Sequence, residues 1–299
     1  MGSIKVGSTA INKVYVGSTA IKKVYVGSTL IWSSGAYTVS SVSVGSSSRG
    51  MILLNTGEYA VTDFSNHCIK IFKADGTLKL TYGSQGSGTN QFVNPYGICQ
   101  DKNNYIYVTE YNGAAAGYIR KFSYNGTAIT YVSRIKMPSS LHQISYNKTR
   151  DKLIVCGYNY GQVYQVPTDL STYTALNSIS LLVGASMTSD GKTLYFTGYY
   201  GAICKATYSS ATATSASNTT TIYSGDTSST HGIALSDDDS YFLYVDYVNK
   251  RIQKWTISTG TQETVVSGLY AMSIMNNGGN VFTFTGGESD TTSLYRLDM

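Results

Sequence analysis

The sequence predicts an all-β fold: a closed ring of six small sheets, preceded by a short β-repeat segment. Three observations predict it. No stretch carries a helical hydrophobic period of useful length, strand-like phrases recur at roughly 40-residue spacing from Met51 onward, and Asn, Asp and Gly punctuate them as turns. Repeats of this size made only of strands define a β-propeller, in which each unit is a twisted sheet packed against the next around a central channel.

The clearest unit runs Pro95-Tyr96-Gly97-Ile98-Cys99-Gln100, then Tyr105-Ile106-Tyr107-Val108-Thr109-Glu110, then Tyr118-Ile119-Arg120-Lys121-Phe122, with a hairpin signal at Asn125-Gly126. An earlier copy contains Met51–Leu54, Tyr59–Asp63 and Ile69–Phe72 and turns at Asp75-Gly76. Later copies contain Leu153–Cys156 with Gln162–Val166, Thr193–Thr197 with Ala202–Lys205, Phe242–Asp246 with Arg251–Trp255, and Val281–Phe284 with Ser293–Leu297. The count is six, with the propeller over 51–299. The last copy stops after three strands, so its sheet lacks an outer strand. The Ser/Gly-rich linker 33–50 holds one alternating run, Tyr37 to Val44, that has no sheet of its own. Pairing it into the last copy closes the ring and covers an exposed edge.

Residues 1–32 carry a second, shorter repeat. Ala10-Ile11-Asn12-Lys13-Val14-Tyr15-Val16-Gly17-Ser18-Thr19 is followed by Ala20-Ile21-Lys22-Lys23-Val24-Tyr25-Val26-Gly27-Ser28-Thr29, and the run ends in Leu30-Ile31-Trp32. Ten residues cannot bury a core alone, so each copy leans on a neighbour or on another chain. Strands over Asn12–Val16 and Lys22–Val26 are expected between Gly-Ser-Thr turns, either stacked as hairpins or intertwined between copies. A homo-oligomerising anchor is one reading, and a weakly ordered arm is the other.

Composition narrows the function classes. Charged residues make up 13% of the 299, about half the share usual in soluble domains, while 42% are hydrophobic and 27 are Tyr. Such a surface suits a protein largely covered by neighbours or one that works outside a cell. The net charge of +5 is spread out with no basic stripe, which argues against nucleic acid as a partner. No apolar stretch is long enough to form a membrane span or a signal core. Cys68, Cys99, Cys156 and Cys204 lie far apart in strand-like runs and read as buried free thiols.

The phrase Gln91-Phe92-Val93-Asn94-Pro95-Tyr96-Gly97-Ile98, with Asp101, Tyr105–Thr109 and Ile119–Phe122 after it and Tyr82–Gly88 before it, resembles NHL-type propeller repeats. Asp246, Asn249 and Arg251-Ile252-Gln253-Lys254 match the same pattern. The resemblance implies a propeller and a binding platform, without one activity. The N-terminal decads resemble short repeats in tailed-bacteriophage virion and tail proteins. That likeness implies a virion structural protein (tail fibre, receptor-binding or decoration component), made in the host bacterial cytoplasm and fixed to other virion proteins through 1–32.

An enzyme on this fold needs polar groups converging on the channel. The innermost strands begin near Arg49, Tyr96, His142, Gly184, His231 and Tyr270, and that set holds no Asp or Glu. Propellers resembling gluconolactonases place acidic metal ligands there. His142 and His231 share register and either hold a metal or ligand together or each hydrogen-bond near the channel. The chain carries no nucleophile elbow, zinc-protease pair or phosphate loop. Gly83–Gly88 reads as a connection between units, and Asp237-Asp238-Asp239 as a solvated turn rather than a calcium site. No catalytic residue, metal or cofactor is expected. An aromatic recurs after the second strand of most units: Phe64, Tyr111, Tyr158 with Tyr160, Tyr199 with Tyr200, and Tyr247. These form a candidate face for a surface glycan or a partner protein, the alternative being that they only pack corners. A non-enzymatic binding protein is therefore expected. A bacterial propeller lectin or scaffold is the runner-up, and a lactonase or glycan hydrolase the third reading.

Overall fold

The computed structural model describes residues 47–113, 116–178, 181–224, 230–286 and 295–299, together with the backbone of 293–294 and of the strands between Lys5 and Ser43. The hairpins straddle the junctions between successive decads, with Tyr15 opposite Ala20 and Tyr25 opposite Leu30. Val6 pairs with Thr9, Val16 with Thr19 and Val26 with Thr29, so each Gly-Ser lies between two strands of one hairpin. The strands expected over Asn12–Val16 and Lys22–Val26 are Val14–Val16 and Lys23–Val26, and each is answered by a returning strand, Thr19–Ile21 or Thr29–Ser33. The sequence reading had missed these returning strands. The side chains of 1–46, and with them the anchoring and oligomerising role, lie outside the described residues.

The rest is six four-stranded antiparallel sheets, a six-bladed β-propeller. The inner strands are Ser48–Leu53, Pro95–Gln100, Leu141–Asn147, Leu182–Met187, Thr230–Leu235 and Ala271–Asn276, for blades 1 to 6 in chain order. They touch one another around the axis. The first inner strand begins at Ser48, three residues ahead of the boundary expected at Met51. Second strands are the driest: Ile106–Glu110 is buried throughout, because each lies between two strands of its own sheet and between two neighbouring blades. Outer strands such as Leu78–Tyr82 and Asn218–Ser224 are largely exposed. Leu78-Lys79-Leu80-Thr81-Tyr82 alternates while Asn218–Ser224 is mostly a polar run, and this uneven patterning makes the fourth strand of a blade harder to find than the first three.

Blade 6 is built from both ends of the wheel. Its third strand, Ser293–Asp298, pairs along its length with Thr38–Ser43, from Ser293↔Ser43 to Asp298↔Thr38. The run expected over Tyr37–Val44 thus supplies the outer strand of the last sheet.

A repeated hydrogen bond joins the blades. Thr62 Oγ1 donates to Tyr96 O at 2.6 Å, Thr109 to His142 O at 2.6 Å, Thr197 to His231 O at 2.6 Å and Thr285 to Arg49 O at 3.2 Å. Thr62 and Thr109 also accept the amide of their own inner strand, Gly50 N and Gly97 N, at 2.8 Å. Glycine is required there by proximity: a Cβ on Gly97 would sit 2.6 Å from His142 O. The four cysteines are buried and free, and Cys156 occupies the latch position of blade 3.

Candidate functional site

Antiparallel order fixes two faces. First-to-second turns lie on one face, the turn face. Second-to-third loops and the start of each inner strand lie on the other, the mouth face. The sequence-selected aromatics all fall on the mouth face and form a nearly continuous belt.

His142 sits at the centre of the belt. Its ring stacks on Tyr96 at 4.2 Å and 7°, and on Tyr158 at 4.5 Å and 11°. Tyr111 lies 6.2 Å from Tyr96 and 6.1 Å from Tyr158, and Phe64 closes on Tyr96 and Tyr111. Arg49 lies over the Phe64 ring at 4.9 Å. The belt continues from Tyr158 to Tyr199, from Tyr199 to His231, from His231 to Tyr247 and from Tyr247 to Tyr270, all with centroids within 6.5 Å. Lys250 caps Tyr270 at 4.5 Å. Such ring pairs add modestly to the area they bury.

The register corrects one expectation. Latch acceptors and strand bulges align Arg49, Tyr96, His142, Val183, His231 and Met272 as the second residues of the six inner strands. Tyr270 precedes its strand and joins the belt against Tyr247, so Met272 is the channel residue of blade 6. Gly184 is one residue late for the same reason, since every inner strand shifts register between its first residue and its third or fourth, and the spacing slips.

Both histidines are buried, His142 with 6% and His231 with 5% of its surface exposed. Burial holds the His142 pKa well below the usual imidazole range, and repulsion from His231 and Arg49 adds to it. Burial, with Arg49 beside it, lowers His231 to about 4. Both are neutral at pH 7. Among the described residues no group of three or more His, Cys, Asp or Glu could hold a metal.

The acids closing the second strands are engaged in structural pairs. Asp63 accepts from Asn66 N at 3.1 Å and pairs with Lys70 at 2.8 Å. Glu110 pairs with the fully buried Arg120 at 2.8 Å, and Arg120 also donates to Gly88 O. Asp246 holds Asn249 and Arg251. These bonds set the loops that carry Phe64, Tyr111 and Tyr247. Arg120 also ties Gly83–Gly88 in place as the connection between blades 1 and 2. In blade 5, Asp238 accepts from Ser236, and Asp237 and Asp239 bond neighbouring blades, so the acidic run is a turn.

Exposure divides the belt. Phe64, Tyr111, Tyr158 and Tyr247 are half-buried and do pack corners, while Tyr160 is 65%, Tyr199 39% and Tyr200 67% exposed. Val248 extends the same sector. One arc of the mouth therefore presents open aromatic surface over blades 3 and 4, continued by the aliphatic Val248 of blade 5. The sequence reading missed the threonine latch, although the recurring Val61-Thr62, Val108-Thr109, Phe196-Thr197 and Phe284-Thr285 carry it. It also missed Gln143, whose role rests on contacts with blades 5 and 6.

No family model matches the chain, and no curated protein matches it. Solved structures do. A gluconolactonase from Xanthomonas campestris aligns over 88% of this chain and 90% of its own with a TM-score of 0.66 at 13% identity. A PQQ-bound aldose sugar dehydrogenase from Streptomyces coelicolor gives 0.62 at 12%, over 88% and 98%. A virginiamycin B lyase from Staphylococcus aureus gives 0.59 at 14%, over 88% and 99%. At these identities the likeness is one of fold, and the fold is the six-bladed β-propeller.

Proposed function

We propose that this is a non-enzymatic recognition protein, held by its N-terminal repeats and presenting the aromatic arc of its mouth face to a partner surface. The observation that carries the reading is the polarity of the disc. The chain enters the wheel at Thr38, paired with Asp298 on the turn face, whereas Tyr160, Tyr199 and Tyr200 lie on the opposite face. An entry strand that starts on one face and open tyrosines on the other suit a module fixed from behind. Tyrosine suits the task, since it combines a large apolar ring with a polar tip at low entropic cost.

The decad resemblance supports a more specific setting: a structural component of a tailed-bacteriophage virion, incorporated through 1–32 and binding a host glycan or protein. A bacterial lectin or scaffold would use the same face. Immunogold labelling of purified particles tests the setting, and absence from particles overturns it. Changing Tyr160, Tyr199 and Tyr200 to Ala together tests the face. Binding to host cells should fall at least tenfold with Tm unchanged, and undiminished binding by the folded variant overturns the proposal.

The likeness to a gluconolactonase and a lyase favours a second reading, an enzyme. Turnover of gluconolactone that depends on an added divalent ion would support it.

A further inference from the structure

We infer that the cavity on the turn face is a separate binding site, for a neutral, hydroxyl-rich ring such as a hexose or the end of a short oligosaccharide. The cavity measures about 770 Å3, lies on the axis and draws its walls from all six blades. That size is within the range of small-molecule pockets.

Its floor is built by one side chain. The third residue of the inner strand is Gly50, Gly97, Gly184 and Gly232 in four blades, but Gln143 in blade 3. Gln143 is 3% exposed and crosses the channel. Its Nε2 donates to Ile233 O at 2.8 Å and Ile274 O at 3.1 Å, and its Oε1 accepts from Ile233 N at 3.1 Å. Gly184 makes the room, since a Cβ there would lie 2.7 Å from Oε1. With the amide bonded to blades 5 and 6, the cavity ends blind and is no conduit to the mouth face.

The wall chemistry selects the ligand class. Ile52, Ile233, Met187 and Met275 supply apolar surface, and Ser145 and Ser186 supply hydroxyls. Ser186 Oγ accepts from Leu235 N at 3.2 Å, which leaves its proton to donate. The rim charges are largely engaged already: Lys102 with Asp151 at 2.9 Å, Asp239 with Ser189, and Asp237 with Asn276 and Gly279 N. Lys148 stands exposed at the outer lip. A phosphate or carboxylate ligand calls for fixed positive charge at the floor, where an uncharged amide sits. A sugar ring calls for neutral donors, acceptor lone pairs and an apolar face, which this cup offers.

The test is calorimetric titration of the full chain with glucose, N-acetylglucosamine and cellobiose, with glucuronate as the charged counterpart. Three variants accompany it: Ser145→Phe, which fills the cup, Ser186→Ala, which removes a donor, and the mouth-face triple alanine. At least one neutral sugar should bind, about tenfold more weakly to Ser145→Phe, about threefold more weakly to Ser186→Ala, and equally to the triple variant. The inference fails if no neutral sugar binds up to about 50 mM, if glucuronate binds more tightly than all of them, or if Ser145→Phe folds and binds normally. Should Ser145→Phe not fold, undiminished binding by Ser186→Ala overturns the inference. Because the triple variant is a separate arm, failure here leaves the mouth-face proposal standing.

Discussion

Thr109 has two hydrogen-bond partners on two blades: it accepts Gly97 N and donates to His142 O. Valine has the same shape without the hydroxyl, so Thr109→Val leaves a buried donor and a buried acceptor unsatisfied. It should cost about 2–3 kcal/mol in urea unfolding, well beyond a surface substitution. The histidines behind that latch give a pH dependence. The folded pKa of His231 is about 4, below its usual 6.5, and that of His142 is also lowered. The unfolded chain therefore takes up these protons first as pH falls. Stability is full above about pH 6.5 and is lost progressively toward pH 4, by on the order of 3 kcal/mol for His231. Tm measured across that window should fall, and His231→Gln should flatten the fall. A Tm independent of pH between 6.5 and 4 would contradict the burial argument.

Among elements, the outer strand of blade 6 matters most to the integrity of the wheel. Thr38–Ser43 pairs with Ser293–Asp298 and covers the edge that a ring closed by chain ends must otherwise expose. Deleting 1–33 should leave Tm within about 2 °C of the full chain. Deleting 1–43 should lower it by about 10 °C or more and promote aggregation through the bared edge, as differential scanning calorimetry and light scattering would report. This strand was legible as an orphan alternating run, because a sheet short of one strand and a strand short of a sheet are both visible in a linear text. The returning strands of the decad hairpins were less legible: Thr19–Ile21 and Thr29–Ser33 begin within the Gly-Ser-Thr phrases read as turns.

For the whole molecule the consequence is a two-sided disc with a closed axis. Under the proposed function the two sides separate experimentally. Deleting 1–33 should abolish incorporation into particles while leaving the propeller folded, and the mouth-face triple alanine should be incorporated normally. Loss of incorporation in the triple variant would mean that the arc faces the particle rather than the host.

Repetition made much of this legible. Six copies of one hydrophobic grammar at about 40-residue spacing, with turn residues between them, point to a wheel of six sheets, in which each blade buries its faces against its neighbours. The recurrence of Phe64, Tyr111, Tyr158, Tyr199 and Tyr247 likewise marks one face. Only the tertiary structure decided which of these rings are open, that Met272 rather than Tyr270 completes the channel ring, and that Gln143 closes it. The physical reason is that periodicity encodes contacts within a repeat. A bulge shifts register by a single residue, and a side chain crossing the axis meets partners about 90 or 130 positions away, so neither leaves a local pattern to read.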